Sequence, residues 1–372
     1  MKKTFFNLIQ DIQKQGQCNR CGGCVTFCSA VNYGALGMDA DGRPFFENIE
    51  NCIECGLCYS ICPATKELDE DIKADFLWRE PIGNRIEISI TQAKDVGIRG
   101  NGTDGGVVTA ILAHLFDKGL INGAIVSKNT AQGRIPCLAK TRRDIIESAG
   151  SHFGSSQGMV QFAKEYSTFS PSLKALNRFS IDSPDRLAFV GTPCQIVTIR
   201  KMQALKIIPS DYILFCFGLF CSGNFIFNKS RLKDLEEKYG FKDDDVVKIN
   251  IKDDFIFSLS DNRQIHIPIS EMALLKRAAC NYCEDFSAEF ADISFGGLGA
   301  EAGWTTAITR TQTGREVFES ALKNVLVPYP YKNDHRYITK AEEKIHTAAG
   351  QKRHQARQNI ADRQRQGVGV IS

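Results

Sequence analysis

Cys18-Asn19-Arg20-Cys21-Gly22-Gly23-Cys24-Val25-Thr26-Phe27-Cys28 and Cys52-Ile53-Glu54-Cys55-Gly56-Leu57-Cys58-Tyr59-Ser60-Ile61-Cys62-Pro63 are the stretches on which the fold turns. Both space their cysteines as C-x-x-C-x-x-C-x-x-x-C, the pattern of bacterial ferredoxins that carry two 4Fe-4S clusters. Three thiolates on one tight loop cap three irons of a cube. The fourth, a turn further on, reaches the other cube. The reading therefore groups Cys18, Cys21, Cys24 and Cys62 at one site, and Cys52, Cys55, Cys58 and Cys28 at the other. A zinc knuckle would pair two cysteines with a distant second pair. A disulfide framework suits a small secreted domain better than a chain of 372 residues. Ser29 follows Cys28 where a proline is usual, a change that removes no ligand.

A chain of this length has room for two or three domains, and its 43% hydrophobic residues can bury a sizeable core. The net charge of +3 gives no reason to expect a nucleic-acid partner. Met1 to Gln17 is amphipathic and too polar for a signal peptide. The longest apolar run, Tyr212 to Cys221, is too short to cross a bilayer and reads as a buried parallel strand. Cluster chemistry and free cysteines predict a reducing, cytoplasmic setting, with no membrane span and at most a peripheral place on a membrane complex. Residues 331–372 hold nine Lys/Arg against four Asp/Glu. Thr339 to Arg365 lacks proline and is rich in helix formers. It predicts a basic helix, either solvated or serving as a docking arm for a partner subunit.

Along the chain, Lys66 to Arg79 reads as a charged linker behind a small domain stapled by metal. Pro81 to Ile90 is extended and β-prone. Gly97-Ile98-Arg99-Gly100-Asn101-Gly102-Thr103-Asp104-Gly105-Gly106 reads as a loop that opens into a helix from Val107 to Phe116, stopped at Gly119. A strand follows at Gly123 to Ser127. Helical stretches near Asp144 to Glu147 and Met159 to Tyr166 precede a strand at Arg186 to Val190. A helix from Gln195 to Leu205 then leads to the strand beginning at Tyr212. This order belongs to an α/β domain. Residues 246–269 alternate as an antiparallel hairpin, with Asp261-Asn262 near its turn.

Four more cysteines stand where ligands would. Cys194 lies in Phe189-Val190-Gly191-Thr192-Pro193-Cys194-Gln195 and Cys221 in Gly218-Leu219-Phe220-Cys221-Ser222-Gly223; Cys280-x-x-Cys283 follows. Strand ends of one sheet converge at one edge, so four thiolates there could hold a third 4Fe-4S cluster. A C-x-x-C alone is equally a redox dithiol or half a zinc site. Cys137 and Cys216 read as ordinary free cysteines of the core. The Gly97–Gly106 loop lets backbone approach a ligand, and the helix at Val107 offers free N–H groups. A dinucleotide pyrophosphate fits there, although the loop is neither G-x-G-x-x-G nor a P-loop. Gly296-Gly297-Leu298-Gly299-Ala300-Glu301-Ala302-Gly303-Trp304 follows a strand-like Ala291 to Phe295. It could wrap a planar ring system or be a surface loop. Clusters beside a dinucleotide cradle point to a flavin, which takes electrons in pairs and releases them singly.

Taken jointly, these motifs resemble one family. They are Thr103-Asp104-Gly105-Gly106-Val107-Val108-Thr109-Ala110, Gly191-Thr192-Pro193-Cys194-Gln195, Gly218-Leu219-Phe220-Cys221, Cys280-Asn281-Tyr282-Cys283, Ala291-Asp292-Ile293-Ser294-Phe295-Gly296, Gly303-Trp304 and Arg310-Thr311. The chain is similar to the beta subunits of coenzyme F420 hydrogenases and dehydrogenases, and to the F420 dehydrogenase input subunit with its two-cluster N-terminus. The resemblance implies an α+β protein with a bacterial-type two-cluster ferredoxin domain over residues 1–75. An FAD and third-cluster domain with a mixed sheet spans 76–330, and a basic helical tail spans 331–372. It implies FAD, held by Asn101, Thr103, Asp104, Gly105, Gly106, Thr109, Ser151, His152, Phe153, Gly191, Thr192, Gly297 and Trp304. It also implies a third cluster on Cys194, Cys221, Cys280 and Cys283. Relatives usually have Gln at the position of Thr103, and often Lys and Tyr where this chain has His152 and Phe153.

The function so implied is hydride transfer between coenzyme F420 and FAD, with single electrons passing through three clusters to or from other subunits of a redox complex, or a ferredoxin. Two alternatives stand beside it. One is a ferredoxin-linked or NAD(P)H-linked flavin reductase acting on another substrate. The other is a relay subunit without a substrate of its own, which the intact glycine motifs disfavour.

Overall fold

The computed structural model of the chain describes residues 2–30, 33–130, 133–150, 165–167, 173, 175, 185–207, 210–330 and 335–366. The first layer is the cysteine domain: α1 (Phe5–Leu8), α2 (Gly23–Ala30), the two-stranded β1 (Leu36–Met38) and β2 (Pro44–Phe46), and α3 (Leu57–Ser60). It has a small core in which Phe5, Leu8, Ile12, Leu36 and Tyr59 pack among the cysteines. The stretch from Lys66 to Arg79, expected as a linker, contains a helix, α4 (Asp69–Asp75), with three acidic residues in its first turn. Acidic side chains there oppose the partial positive charge of a helix N-terminus.

The remaining elements run β3 (Glu87–Ala93), α5 (Val96–Asn101), α6 (Val107–Asp117), β4 (Gly123–Thr130), β5 (Gly133–Ala139), α7 (Arg142–Glu147), β6 (Glu165–Ser167), β7 (Leu187–Gly191), α8 (Pro193–Ala204), β8 (Ile213–Leu219), β9 (Ile226–Asn228) and α9 (Lys229–Tyr239). They continue through β10 (Val246–Ile251), β11 (Asp254–Leu259), β12 (Gln264–Pro268), β13 (Ile293–Gly296), β14 (Thr305–Thr309), α10 (Gln312–Asn324), β15 (Leu326–Pro328) and α11 (His335–Arg365). Eight strands form one mixed sheet in the order β15-β3-β14-β13-β8-β7-β4-β5. Its centre, β13-β8-β7-β4, is parallel. The flanking pairs are antiparallel.

Side-chain alternation assigns the two faces. In β4, Ala124 and Val126 join α6 and α10 in one core, while Ile125 joins the other. In that second core α8 packs with Cys21, Phe27 and Ile61, so the cysteine domain lies against the back of the sheet. α6 begins at Gly106, whose φ of +68° suits glycine and leaves no side chain to cap the helix.

Four expectations need revision. The Gly97–Gly106 loop begins as helix α5, started by Asp95, whose carboxylate accepts from Ile98 N–H. The end of the expected Met159–Tyr166 helix is instead strand β6, paired with β9; its first part lies outside the described residues. The 246–269 hairpin is a three-stranded meander with its own core, with the Asn262 turn joining its last two strands. The basic helix is not wholly solvated, since the chain itself covers one of its faces. Ala341, Ile345, Ala349, Arg353 and Ala356 form a buried stripe against the chain's own domain. Among the described residues no helix is long and apolar enough to cross a membrane.

The two domains are tied by Lys201, fully buried on α8. Its Nζ meets the Asp69 carboxylate at 2.6 Å and donates to the carbonyls of Thr65 (2.9 Å) and Cys62 (3.1 Å). Replacing it by methionine leaves the buried Thr65 carbonyl without its donor, while the Cys62 carbonyl keeps Thr65 Oγ1 at 2.9 Å and the Asp69 carboxylate keeps solvent. The expected loss is about 1–3 kcal/mol per buried group left unpaired. Anaerobic urea unfolding of Lys201→Met should show a lowered midpoint, and an unchanged midpoint would refute this role for the lysine.

Candidate functional site

The parallel strands β7, β8 and β13 end at Gly191, Leu219 and Gly296, and their C-terminal ends open on one edge of the sheet. Ligands of α/β sheets bind at that edge. A cavity of about 1130 Å³ occupies it, which is above the range of about 300–1,000 Å³ usual for small-molecule pockets. One end is formed by Thr103, Asp104, Gly106 and the first turn of α6, Val107 to Thr109. The middle is lined by Gly191, Thr192 and Gln195 at the start of α8. The far end is lined by Cys221 and Cys280. Helix α11 closes one side with Lys344, Gln351 and Lys352.

Glycines make this shape possible. A Cβ on Gly297 would lie 2.6 Å from an Asp104 carboxylate oxygen, so glycine there admits the aspartate. A Cβ on Gly102 would meet Gly106 Cα at 2.8 Å. Burial raises the Asp104 carboxyl above the usual carboxylate range, opposed by Lys252 and Lys248. Asn250 Nδ2 donates to Asp104 at 3.2 Å, and Lys252 Nζ stands 3.9 Å away. Thr192 caps α8 reciprocally with Gln195, whose side chain accepts from Thr192 N–H at 3.2 Å.

Not every expected contact faces the cavity. Asn101 is exposed at the end of α5. Gly105 faces away from it: its N–H donates to Thr305 Oγ1, and an added Cβ would lie 2.9 Å from the Thr91 carbonyl oxygen. Its glycine serves close packing of the loop on β3, so a bulky residue there would disturb the fold before it met a ligand. Trp304 packs edge-on to Tyr329, 4.8 Å between ring centroids, in a cluster with Tyr337 and Ile338. Thr103, Asp104, Gly106, Thr109, Gly191, Thr192 and Gly297 do line the cavity. Ser151, His152 and Phe153 lie outside the described residues.

The cysteines fall into three sets. Cys18, Cys21, Cys24 and Cys62 line one small cavity; Cys28, Cys52, Cys55 and Cys58 line a second. These are the crossed groupings that the spacing predicts. Burial, reinforced by the charge of Cys21, pushes the Cys62 thiol up to about 12. Burial, Cys55 and Cys52 push Cys58 up to about 12. In the third set, burial holds the Cys194 thiol well up, and Cys21, Cys283 and Cys221 lie near enough to add to it. Cys221, raised to about 11 by burial, is opposed by the Lys352 ammonium. Among the described residues, no three His, Cys, Asp or Glu side chains close around one point as a single ion would require. Cys216 is buried in β8, and its N–H donates to Asp292 at 2.7 Å; Cys137 is half-buried on β5.

The first and third sets touch. Thr198 on α8 brings its Oγ1 to 3.7 Å from Cys21 Sγ and 2.9 Å from the Cys194 carbonyl oxygen. Arg277 donates to the Asn19 carbonyl at 2.8 Å and lies within charge range of Cys280, Cys194 and Cys18. Reading the sequence missed Thr198, Arg277 and Lys352. No motif marks them, because each acts across domains.

A ferredoxin-type cysteine domain packed on an α/β domain, with a large strand-edge cavity reaching a further cysteine set, defines an iron–sulfur redox scaffold. Residues 184–329 match the family profile for the C terminus of the coenzyme F420 hydrogenase/dehydrogenase beta subunit, and residues 89–161 match the profile for its N-terminal part. Residues 10–63 match a 4Fe-4S dicluster domain. The chain belongs to the coenzyme F420 hydrogenase/dehydrogenase beta-subunit family. It is 28% identical to an uncharacterised protein of Methanocaldococcus jannaschii, covering 92% of this chain and 97% of that one. It is 28% identical to the coenzyme F420 hydrogenase subunit beta of Methanothermobacter thermautotrophicus, covering 77% and 98%. A chain of the F420-reducing [NiFe] hydrogenase complex from Methanosarcina barkeri shares the fold, with TM-score 0.66 and 22% identity over 79% of this chain and 97% of that one.

The crossed grouping is directly testable. In Cys62→Ala the cluster on the Cys18 loop should be disturbed, while the cluster on the Cys52 loop keeps its signal in the EPR of the reduced protein. Loss restricted to the Cys52 loop's cluster would show uncrossed ligation.

Proposed function

We propose that this chain is the oxidoreductase subunit at which coenzyme F420 exchanges a hydride with FAD, single electrons then passing through three 4Fe-4S clusters to or from partner subunits. FAD, when bound, supplies the exchange between paired and single electrons that clusters cannot perform. The observation that carries the reading is the reach of one cavity from the first turn of α6 to Cys221 and Cys280. A dinucleotide lying along it would begin at a helix N-terminus and end beside a cysteine set.

The residues fit such a group. Gly106 leaves the N–H groups of Val107 to Thr109 uncapped by any side chain, a favourable seat for a pyrophosphate. Thr103, Asp104, Thr192, Gln195 and Gly297 surround the rest of the path. Cys194, Cys221, Cys280 and Cys283 would hold the third cluster, next to the cluster of Cys18, Cys21, Cys24 and Cys62 through Thr198. Lys252, Lys340 and Lys344 are among the residues lining the cavity and match a polyanionic partner such as the deazaflavin tail. The setting proposed is cytoplasmic, where thiols stay reduced.

Two measurements test this. Anaerobically prepared protein should contain iron at about twelve atoms per chain, the number three cubes demand. A reproducible value of about eight would remove the third cluster. In stopped-flow absorbance, the flavin should bleach far faster with reduced deazaflavin than with NADH, because hydride transfer needs the two rings in a near-attack arrangement. Rapid bleaching by NADPH and none by deazaflavin would overturn the substrate while leaving the cofactor reading in place.

A further inference from the structure

We propose that Lys352 raises the reduction potential of the cluster held by Cys194, Cys221, Cys280 and Cys283, setting it above that of the outermost cluster, at Cys28, Cys52, Cys55 and Cys58. The proposal rests on the third-cluster reading above. Lys352 projects from α11. Its Nζ donates to the Cys221 carbonyl at 2.6 Å and to the Asp285 carbonyl at 2.7 Å. Those carbonyls belong to the two loops that deliver three of the four cysteines. The same ammonium lies within charge range of Cys283, Cys221 and Cys280. Its neighbour Arg353 fixes the helix, meeting Glu284 at 2.9 Å and Glu289 at 2.7 Å, so Lys352 is held in place rather than left to swing.

Apart from the exposed Lys2, which packs on Gly56 of the Cys52 loop, positive charge thins outward from the cavity. Beside the third set stand Lys352, Lys276 and Arg277. Beside the next set, Arg277 and Arg20 act on Cys18 and Lys201 on Cys62. For Cys28 and Cys58 the largest influences are burial, backbone donors and the other cysteines. Of the acidic groups nearest the third set, Glu289 is paired with Arg353 at 2.7 Å, while Asp285, which accepts from Glu289 N–H at 3.1 Å, opposes Lys352 at Cys283 and offsets part of its charge. Four thiolates make a 4Fe-4S site anionic, and an added electron makes it more so. A fixed cation in a weakly screening interior favours the reduced form. Electrons entering at the outermost cluster therefore run downhill toward the cavity.

The test is an EPR-monitored redox titration of the full-length anaerobic protein. Signals are assigned by their loss in Cys55→Ser and Cys283→Ser. The signal lost in Cys283→Ser should titrate at higher potential than the one lost in Cys55→Ser. In Lys352→Met it alone should move down by a tenfold or greater change in the reduced-to-oxidised ratio, about 59 mV for a one-electron couple. Lys352→Arg should keep it near wild type. If Lys352→Met loses iron, Lys352→Gln carries the same test, since it keeps a donor without the charge. An unmoved potential, an equal shift in all clusters, or a cavity-side cluster below the outermost would overturn the proposal. A wild-type iron content of about eight would instead overturn the third cluster itself.

Discussion

The attraction between buried sulfur and positive charge is the interaction on which the rest of this structure depends. Burial pushes the thiols of Cys18, Cys21, Cys24, Cys58, Cys62, Cys194, Cys221 and Cys283 above their ordinary range. Thiolates gathered this closely repel one another and lose their hydration. At two of the three cysteine sets, cations of the chain stand against them. The chain supplies Lys201, Arg277 and Lys352 from three different elements, each aimed at a cysteine-bearing loop. Domain packing and electrostatic compensation are thus one design. The same lysine that pins α8 to the cysteine domain also sits at the carbonyl of Cys62.

Another buried cation, Arg310, organises the chain around β13. Arg310 donates from Nε to Ser294 Oγ, from Nη1 to the carbonyls of Ile82 and Asn84, and from Nη2 to Ser287. Burial lowers its pKa to about 10, with Glu289 and Asp285 opposing the fall. It thereby ties the segment before β3, the loop after Cys283 and strand β13 into one block. Nearby, Asp292 accepts from Cys216 N–H and Thr311 Oγ1 and meets Arg200 at 3.0 Å. The motif residues Asp292, Arg310 and Thr311 therefore build the frame that holds the cavity open, and none of them lines it.

What could be read from the sequence was whatever is encoded locally. The spacing in each cysteine run fixes a loop, and the loop fixes which fourth cysteine crosses. The buried strand around Cys216 and the helix after Gly106 declare themselves by composition. Long-range placement did not. Gly105 and Gly106 look alike in a string, yet one packs on β3 and the other turns the chain into α6. Trp304 resembles a ring-stacking residue until Tyr329 is seen beneath it. Helix α11 was the largest misreading, and its cause is physical. Its buried stripe is made chiefly of alanines and an arginine, which carry little hydropathy. Small side chains let the helix approach closely, so contact comes from proximity rather than from apolar bulk.

Helix α11 also carries a consequence for how the molecule is put together. Every other wall of the cavity, with Cys221 and Cys280 among its lining, precedes His335 in the chain. During synthesis those parts exist, and can fold against one another, before residues 335–365 have left the ribosome. The cavity is then a trough open along the side that α11 covers. Docking of α11 comes last. By placing Lys352 on Cys221 and Arg353 on Glu289, it gives the trough its last wall. The helix is a fastener made after the parts it fastens.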